Sequence, residues 1–399
     1  MGNTDDSNKG AFRVKDWWWS KAALLMGMIY LFAAWYHIPL KQFVPLSVLS
    51  LITISGFASM GYLFNDLFDI EKDAAAGKSN FLAGKPVPFV FLLFLVSSGF
   101  VFVPWYWLPK DNFSYVLVVG QILLFIIYSV PPIRLKERGV AGIVTDALYA
   151  HGLPPVLAAY TFALAAQHPF SLSEIAMLFV WQSTSGIRNI LLHQYDDMEA
   201  DKLSGSKNFV AGMKPVQFHT VFKALIVAEV ILSLVFFALL LSVNVLFIIC
   251  LLTIIALSVA AYIVYQSHSK DLFADVIWRF FPNNASEKWL PAAYLIILSA
   301  TDFRFIVLLA LHLAIFNFDF YYQVGKRIWL QVKASRGFFI TVKIILSYPV
   351  NYTIYYAMRI FSVDLIKENT SFVAYFRKKL STNSQQPDPF RPLKGKPKP

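Results

Sequence analysis

The sequence predicts an all-α, polytopic membrane helix bundle, and three observations predict it. The chain of 399 residues is 57% hydrophobic and only 15% charged, where a soluble domain is usually about a quarter charged. Its apolar residues come in runs of about twenty, the length that crosses a bilayer as a helix. The short alternating segments that build a membrane β-barrel do not occur.

Taken in order, residues 1–20 form a polar N-terminal segment without the basic-then-apolar layout of a cleaved signal. Trp17–Trp19 read as an interfacial belt opening the first span. Hydropathy then predicts spans near 22–38, 43–64, 87–108, 113–131, 140–165, 172–193, 217–241 and 243–265. A ninth apolar region, 290–320, is interrupted by Asp302 and Arg304. It reads as one long tilted span or as a short helix followed by a span. The membrane domain so defined covers 21–322. A basic extension, 323–399, follows, with an interfacial helix expected over 338–361.

Charge is distributed unevenly. The net charge is +11, and from Gln323 onward 14 Lys and Arg face 3 Asp and Glu, so the whole excess lies in the extension. On a membrane protein such a tail meets anionic lipid rather than nucleic acid. The single cysteine, Cys250, excludes an internal disulfide and any cysteine-based metal site. Loops after spans 2, 4 and 6 are long and charged, whereas those after spans 1, 3, 5 and 7 are short with few bases. The positive-inside rule therefore places the charged loops and the N-terminus in the cytoplasm, in a multi-pass protein of the cell or inner membrane.

Two of those charged loops are copies of each other. "DIEKDAAAGKSNFLAG" from Asp69 and "DMEADKLSGSKNFVAG" from Asp197 match at eight of sixteen positions without a gap. Each follows an even-numbered span, so two similar halves are expected to face each other. At about 100° per residue Asp66, Asp69 and Asp73 fall on one helical stripe, with Asn65 at its border. In the second copy Gln194, Asp197 and Asp201 take the same offsets, while Glu71, Asp196 and Glu199 point elsewhere. Facing rows of acids repel unless divalent ions lie between them. An all-oxygen set without His or Cys suits Mg²⁺, which completes its shell with water and substrate phosphates. Gly77 and Gly205 are expected to end the two helices.

The third charged loop, "YSVPPIRLKERGVAG", supplies cations between the acidic copies. Pro131-Pro132 forces an extended exit from span 4, which directs Arg134 and Lys136. Arg134, Lys136 and Arg138 are candidates for phosphate oxygens that the metal leaves free, as are Lys78, Lys207, Arg188 and His193. Within span 5, Asp146 needs a partner at its depth; Asp146, Tyr149 and His151 are the polar candidates for binding a second substrate.

These motifs carry a family resemblance. "NDLFDIEKD" looks like the N-D-x-x-D-x-x-x-D signature of the UbiA-type intramembrane prenyltransferases. "DMEAD" resembles their second D-x-x-x-D, and "YSVPPIRLKERG" is similar to their Y-S-x-P-P-x-x-x-K-x-x-G segment. The resemblance spans roughly residues 20–320. It implies an all-α fold of about nine spans around a central cavity open sideways to lipid, and Mg²⁺-dependent transfer of a prenyl group from a polyprenyl diphosphate to an acceptor. By motif, Asn65, Asp69 and Asp73 would hold one ion and Asp197 and Asp201 the other, with Asp66 supporting. Loss of diphosphate would give an allylic carbocation, which aromatic faces stabilise. Two departures concern the substrate: His193 stands where many members have Lys, and "KSNFLAGKP" replaces an R-P-shaped loop. The acceptor, an aromatic ring, a tetrapyrrole or a lipid headgroup, is left open. Two rival readings remain at this stage. One is transfer of a sugar phosphate onto a polyprenyl phosphate; the other is a non-enzymatic carrier of an anion.

Overall fold

The computed structural model describes residues 10–75, 77–168, 171–198, 209–241, 282–322 and 325–326, and all regular structure among them is helical. A short helix, Val14–Trp17, and a π-helical turn, Trp18–Ala22, lead into α1 (Ala23–Trp35). Then follow α2 (Leu40–Ala75), α3 (Val87–Phe102) and α4 (Asn112–Ser129). Next, α5 (Val140–Ala147), a second π turn (Leu148–Gly152) and α6 (Leu153–Ala165) follow without a break. The remaining helices are α7 (Leu172–Asp196), α8 (Pro215–Leu241), α9 (Leu290–Thr301) and α10 (Phe305–Ile315).

Four helical segments among the described residues are long and apolar enough to cross a membrane: Leu40–Ala75, Val87–Tyr106, Asn112–Ser129 and Val216–Leu239. The outer faces are apolar too. Along α3 only Leu93, Ser97 and Val101 are buried, while Phe91, Leu92, Leu95 and Phe102 are exposed. Such a surface is a liability in water and a fit to lipid. Every residue of Ala23–Ala33 in α1 is buried, with α6 and α9 packed on it, so α1 lies at the heart of the bundle.

The helix ends follow from sequence. Asp111 begins α4 with a reciprocal capping box to Ser114, and Ser171 begins α7 with one to Glu174. α2 and α3 meet at Gly56: a Cβ there would lie 2.6 Å from the Val101 nitrogen, so only glycine allows the approach. The 36 residues of α2 make a rod of about 54 Å, far longer than the ~30 Å hydrocarbon layer. Its last turns therefore project beyond lipid, and these are the turns that carry the acids.

The apolar run of the second predicted span ends near residue 64, and the helix continues through the acids to Ala75, just short of the expected stop at Gly77, because good helix formers persist through "DIEKDAA". One expectation about the spans changes. Region 290–320 is neither one span nor a short helix plus a span. Asp302 turns to an extended conformation and pairs with Arg304 at 2.7 Å, leaving two short helices. At 11 residues, about 16 Å, α10 is too short to cross alone. The predicted span 243–265 and interfacial helix 338–361 lie outside the described residues.

Chain contacts define two units, Met1–Ile248 with Ser286–His312, and Ile249–Ala285 with Leu313–Pro399. All of the site geometry below belongs to the first. In the second, Phe318 and Tyr322 stack at 6.1 Å.

Candidate active site

The last three turns of α2 bring four sequence-predicted residues to one end of the bundle, and each meets a different partner. Asn65 Oδ1 accepts from Ser129 Oγ at 2.5 Å, tying α2 to the end of α4. Asp66 is buried and accepts from Arg13 Nη1 at 3.1 Å. Asp69 faces the loop after α4. Asp73 accepts from Asn80 Nδ2 at 2.8 Å.

That last contact closes the helix. Gly77 takes a φ of +65°, and Lys78 N donates to Asp73 O at 2.8 Å, a glycine-terminated helix end of the expected kind. Asn80 Nδ2 also donates to Asp66 O at 2.7 Å, and Asn80 Oδ1 accepts from Leu82 N at 3.0 Å. Asn80 thus folds the following loop back onto the acidic turns. Lys78 is half-buried in this loop.

The loop after α4 delivers cations to Asp69. The Pro131-Pro132 bond is cis, and Arg134 has a positive φ of 39°. Arg134 Nη2 donates to Asp69 Oδ1 at 2.6 Å and Nη1 to Phe68 O at 2.7 Å. Lys136 Nζ donates to both Asp69 oxygens, at 2.7 and 2.6 Å. Glu137 joins the cluster by accepting from Lys72 and from Arg134 Nε. Burial pushes the Lys136 ammonium below its ordinary value despite Asp69 beside it. Arg138 turns away and donates to Pro132 O at 2.9 Å, bracing the loop.

The second copy is only partly described. His193 Nε2 lies 3.8 Å from Asp197 Oδ2, one turn apart at the end of α7, and both are well exposed. Asp201 and Lys207 lie outside the described residues, as do Gly205 and Asn208. Arg188 is elsewhere: fully buried, its Nε donates to Glu229 Oε2 at 2.5 Å and its Nη1 to Asn189 Oδ1 at 3.1 Å.

Beneath Asn65 a cavity runs along α2 from Asn65 to Ser50. Its walls are mainly apolar and include the rings of Phe57, Tyr62, Phe125 and Tyr149. Phe125 and Tyr149 meet edge-to-face at 4.8 Å. Of the three polar residues singled out in span 5, Tyr149 lines the cavity and donates to Asp146 Oδ1 at 2.6 Å, which gives Asp146 the partner its depth requires. His151 is buried in the same π turn.

Sequence reasoning missed two cations here. Lys21, in the first π turn, lines the cavity with Nζ 5.7 Å from the Tyr62 ring, and Arg13 lies 4.6 Å from that ring. Lys21 had a signal: it is a charge at the very start of an apolar span. Arg13 had none, because it reaches Asp66 across 53 residues.

The donor chemistry fits a hard divalent cation, since Asn65, Asp69 and Asp73 offer oxygen alone within about two turns. Among the described residues no three His, Cys, Asp or Glu side chains converge as a cage. Asp69 is instead neutralised by Arg134 and Lys136, which fits a site whose cations and acids exchange partners when an anionic ligand arrives.

The sequence matches the family model described as "UbiA prenyltransferase family" over residues 22–284, about two thirds of the chain. No curated protein matches it. Among solved structures, the apo form of a UbiA homolog from Aeropyrum pernix K1 shares the fold at a TM-score of 0.51 and 14% identity, covering 69% of this chain and 97% of that one. A UbiA homolog from Archaeoglobus fulgidus bound to DMAPP and Mg²⁺ aligns at 0.47 and 17% identity, over 70% and 96% of the two chains. A digeranylgeranylglyceryl phosphate synthase aligns at 0.44 and 17% identity, over 74% and 95%.

Proposed function

The chain belongs to the UbiA prenyltransferase family, and on that premise we propose that it moves a prenyl group from a polyprenyl diphosphate onto an acceptor within the membrane, releasing diphosphate. The observation that carries this reading is the pairing of Asp69 with Arg134 and Lys136 one turn above Asn65, which opens the apolar cavity. An anion-handling cluster set on a long apolar cavity suits a ligand with a diphosphate head and a hydrocarbon tail.

In this reading Asn65, Asp69 and Asp73 on one side, with Asp197 and Asp201 on the other, would hold Mg²⁺. Bound there, the metal would supply Lewis acidity for diphosphate departure. Arg134 and Lys136 leave the Asp69 carboxylate and take diphosphate oxygens, as charge-assisted donors do. Lys21 stands at the cavity mouth and adds positive charge as the leaving group gains it. Tyr62, Phe125 and Tyr149 turn aromatic surface to the same end of the cavity, where ring faces stabilise a developing carbocation. The apolar walls exclude water, which would otherwise capture that cation. His193 beside Asp197 takes the place of a diphosphate-binding cation, and Lys78 and Lys207 flank the two acidic copies. The acid-bearing loops face the cytoplasm under the positive-inside rule.

The experiment is product analysis. Purified full-length protein with Mg²⁺ and geranylgeranyl diphosphate is offered pooled phenolic, tetrapyrrole and lipid-headgroup acceptors. Mass spectrometry then looks for a prenylated product. A prenylated acceptor formed with stoichiometric pyrophosphate supports the reading. Folded protein that binds the donor yet yields neither product nor pyrophosphate with any pool contradicts it.

A further inference from the structure

Residues 10–17 dock on the acid-bearing end of α2. Ala11 and Phe12 pack against Leu63 of α2, Leu82 of the following loop and Leu93 of α3, a cluster that joins those three pieces of chain. Trp17 is 2% exposed and donates from Nε1 to Phe12 O at 2.9 Å, which closes the segment on itself. Between these anchors stands Arg13, left-handed at a φ of 45°. A residue with a side chain keeps that conformation only where its surroundings hold it.

What holds Arg13 is a set of contacts to the site. Its Nε donates to Asp16 Oδ2 at 2.6 Å and its Nη1 to Asp66 Oδ1 at 3.1 Å. Its guanidinium also lies 4.6 Å from the centre of the Tyr62 ring, which lines the cavity. Tyr62 and Asp66 are four residues apart and so share one face of α2. A guanidinium that grips both fixes the rotation of the turn that carries Asn65 and Asp69. Asp66 is 6% exposed, and a carboxylate so buried needs a charged partner. Resting on the function proposed above, we propose that Arg13 is a positioning residue for metal and donor binding. Through Asp66 it orients Asn65 and Asp69 without touching the ligand, and Asp66 serves as its anchor. Arg13 precedes the matched residues 22–284, so the contact comes from this chain's own N-terminal segment.

The test uses the full-length protein in lipid nanodiscs and geranylgeranyl thiolodiphosphate, whose carbon–sulfur bond resists ionisation. Its equilibrium binding is titrated with Mg²⁺, beside a thermal melt without ligand. Arg13→Ala should raise the Mg²⁺ concentration for half-maximal binding about tenfold, as loss of an outer partner of metal ligands does. Asp66→Asn should give a shift of similar size. The double variant should lose no more than either single one, because both break one contact. Folded Arg13→Ala with the parent's Mg²⁺ requirement overturns the proposal, and so do losses that add in the double variant. Should Arg13→Ala fail to fold, Asp16→Ala decides, since it frees the guanidinium by removing an exposed partner. A rise of about threefold then supports the role, and an unchanged requirement overturns it. Parent protein that binds no donor at any Mg²⁺ concentration overturns the proposed function and this inference with it.

Discussion

Lys136 donates to both carboxylate oxygens of Asp69, at 2.7 and 2.6 Å, across 67 positions of chain. Arg134 shares the same carboxylate at 2.6 Å. One acid and two cations from separate motifs are thereby joined one helical turn beyond Asn65, which lines the apolar cavity.

Removing Lys136 should weaken donor handling more than it damages the fold, because the loop keeps its Arg134 and Arg138 contacts. A hydrogen bond to a charged partner is worth about 1.5–3 kcal/mol. Lys136→Ala should raise the donor KM roughly ten- to a hundredfold, with a melting temperature close to that of the parent. Steady-state kinetics with varied donor, beside a thermal melt, measures both.

Arg188 should prove structural. It is fully buried against Glu229, so Arg188→Ala leaves a buried carboxylate unpaired at a cost of about 3–5 kcal/mol. Replacing both partners, as in Arg188→Met with Glu229→Leu, should recover most of that loss. A double variant that is stable yet binds a prenyl thiolodiphosphate normally assigns the pair to packing; stable protein with lost binding assigns Arg188 to the diphosphate.

Gly56→Ala should loosen the bundle. The added methyl would lie 2.6 Å from Val101 N and 2.8 Å from Phe100 C, both backbone atoms that yield only if the helices separate. Overpacking of this kind costs about 1–3 kcal/mol. Detergent-resistance melts should show a clear drop, where Gly99→Ala, with open space around it, shows little.

Acid should open the clasp over the site. Burial pushes the Glu137 carboxyl up, but hydrogen bonds from Lys72 and Arg134 outweigh that and hold it below its ordinary 4.5. For a depressed carboxylate the stabilisation is present above the ordinary value and is lost as pH falls through the lowered one. Melting temperature should therefore fall as pH drops below 4.5. Glu137→Gln should lose this component and show a flatter profile over the same range.

Much of this was readable from residues alone. The acids of α2 and the helix stop at Gly77 follow from local spacing and turn chemistry, whereas the exit from α4 is not the extended segment expected: Arg134 N donates to Val130 O at 3.0 Å and closes a turn, with Arg134 itself left-handed. The repeat located both acidic copies, although the far half of the second lies outside the described residues. Periodicity placed Asp66, Asp69 and Asp73 on one stripe but said nothing of their partners. Arg13, the 134–136 loop and Asn80 come from different parts of the chain. The pairing of Arg188 with Glu229 spans 41 residues, and a charge near a motif reads as functional until its distant partner is seen. The choice of cavity-lining rings was equally hidden among 37 Phe and 19 Tyr, because it depends on how helices turn toward one another.

The most direct test of the central claim is the Mg²⁺ dependence of pyrophosphate release from geranylgeranyl diphosphate, for the parent protein and for Asp69→Asn and Asp197→Asn. The account predicts acceptor-dependent release that rises with Mg²⁺, vanishes with chelator and falls by roughly a hundredfold or more in each variant. Release that persists in chelator, or that both variants retain, would contradict it.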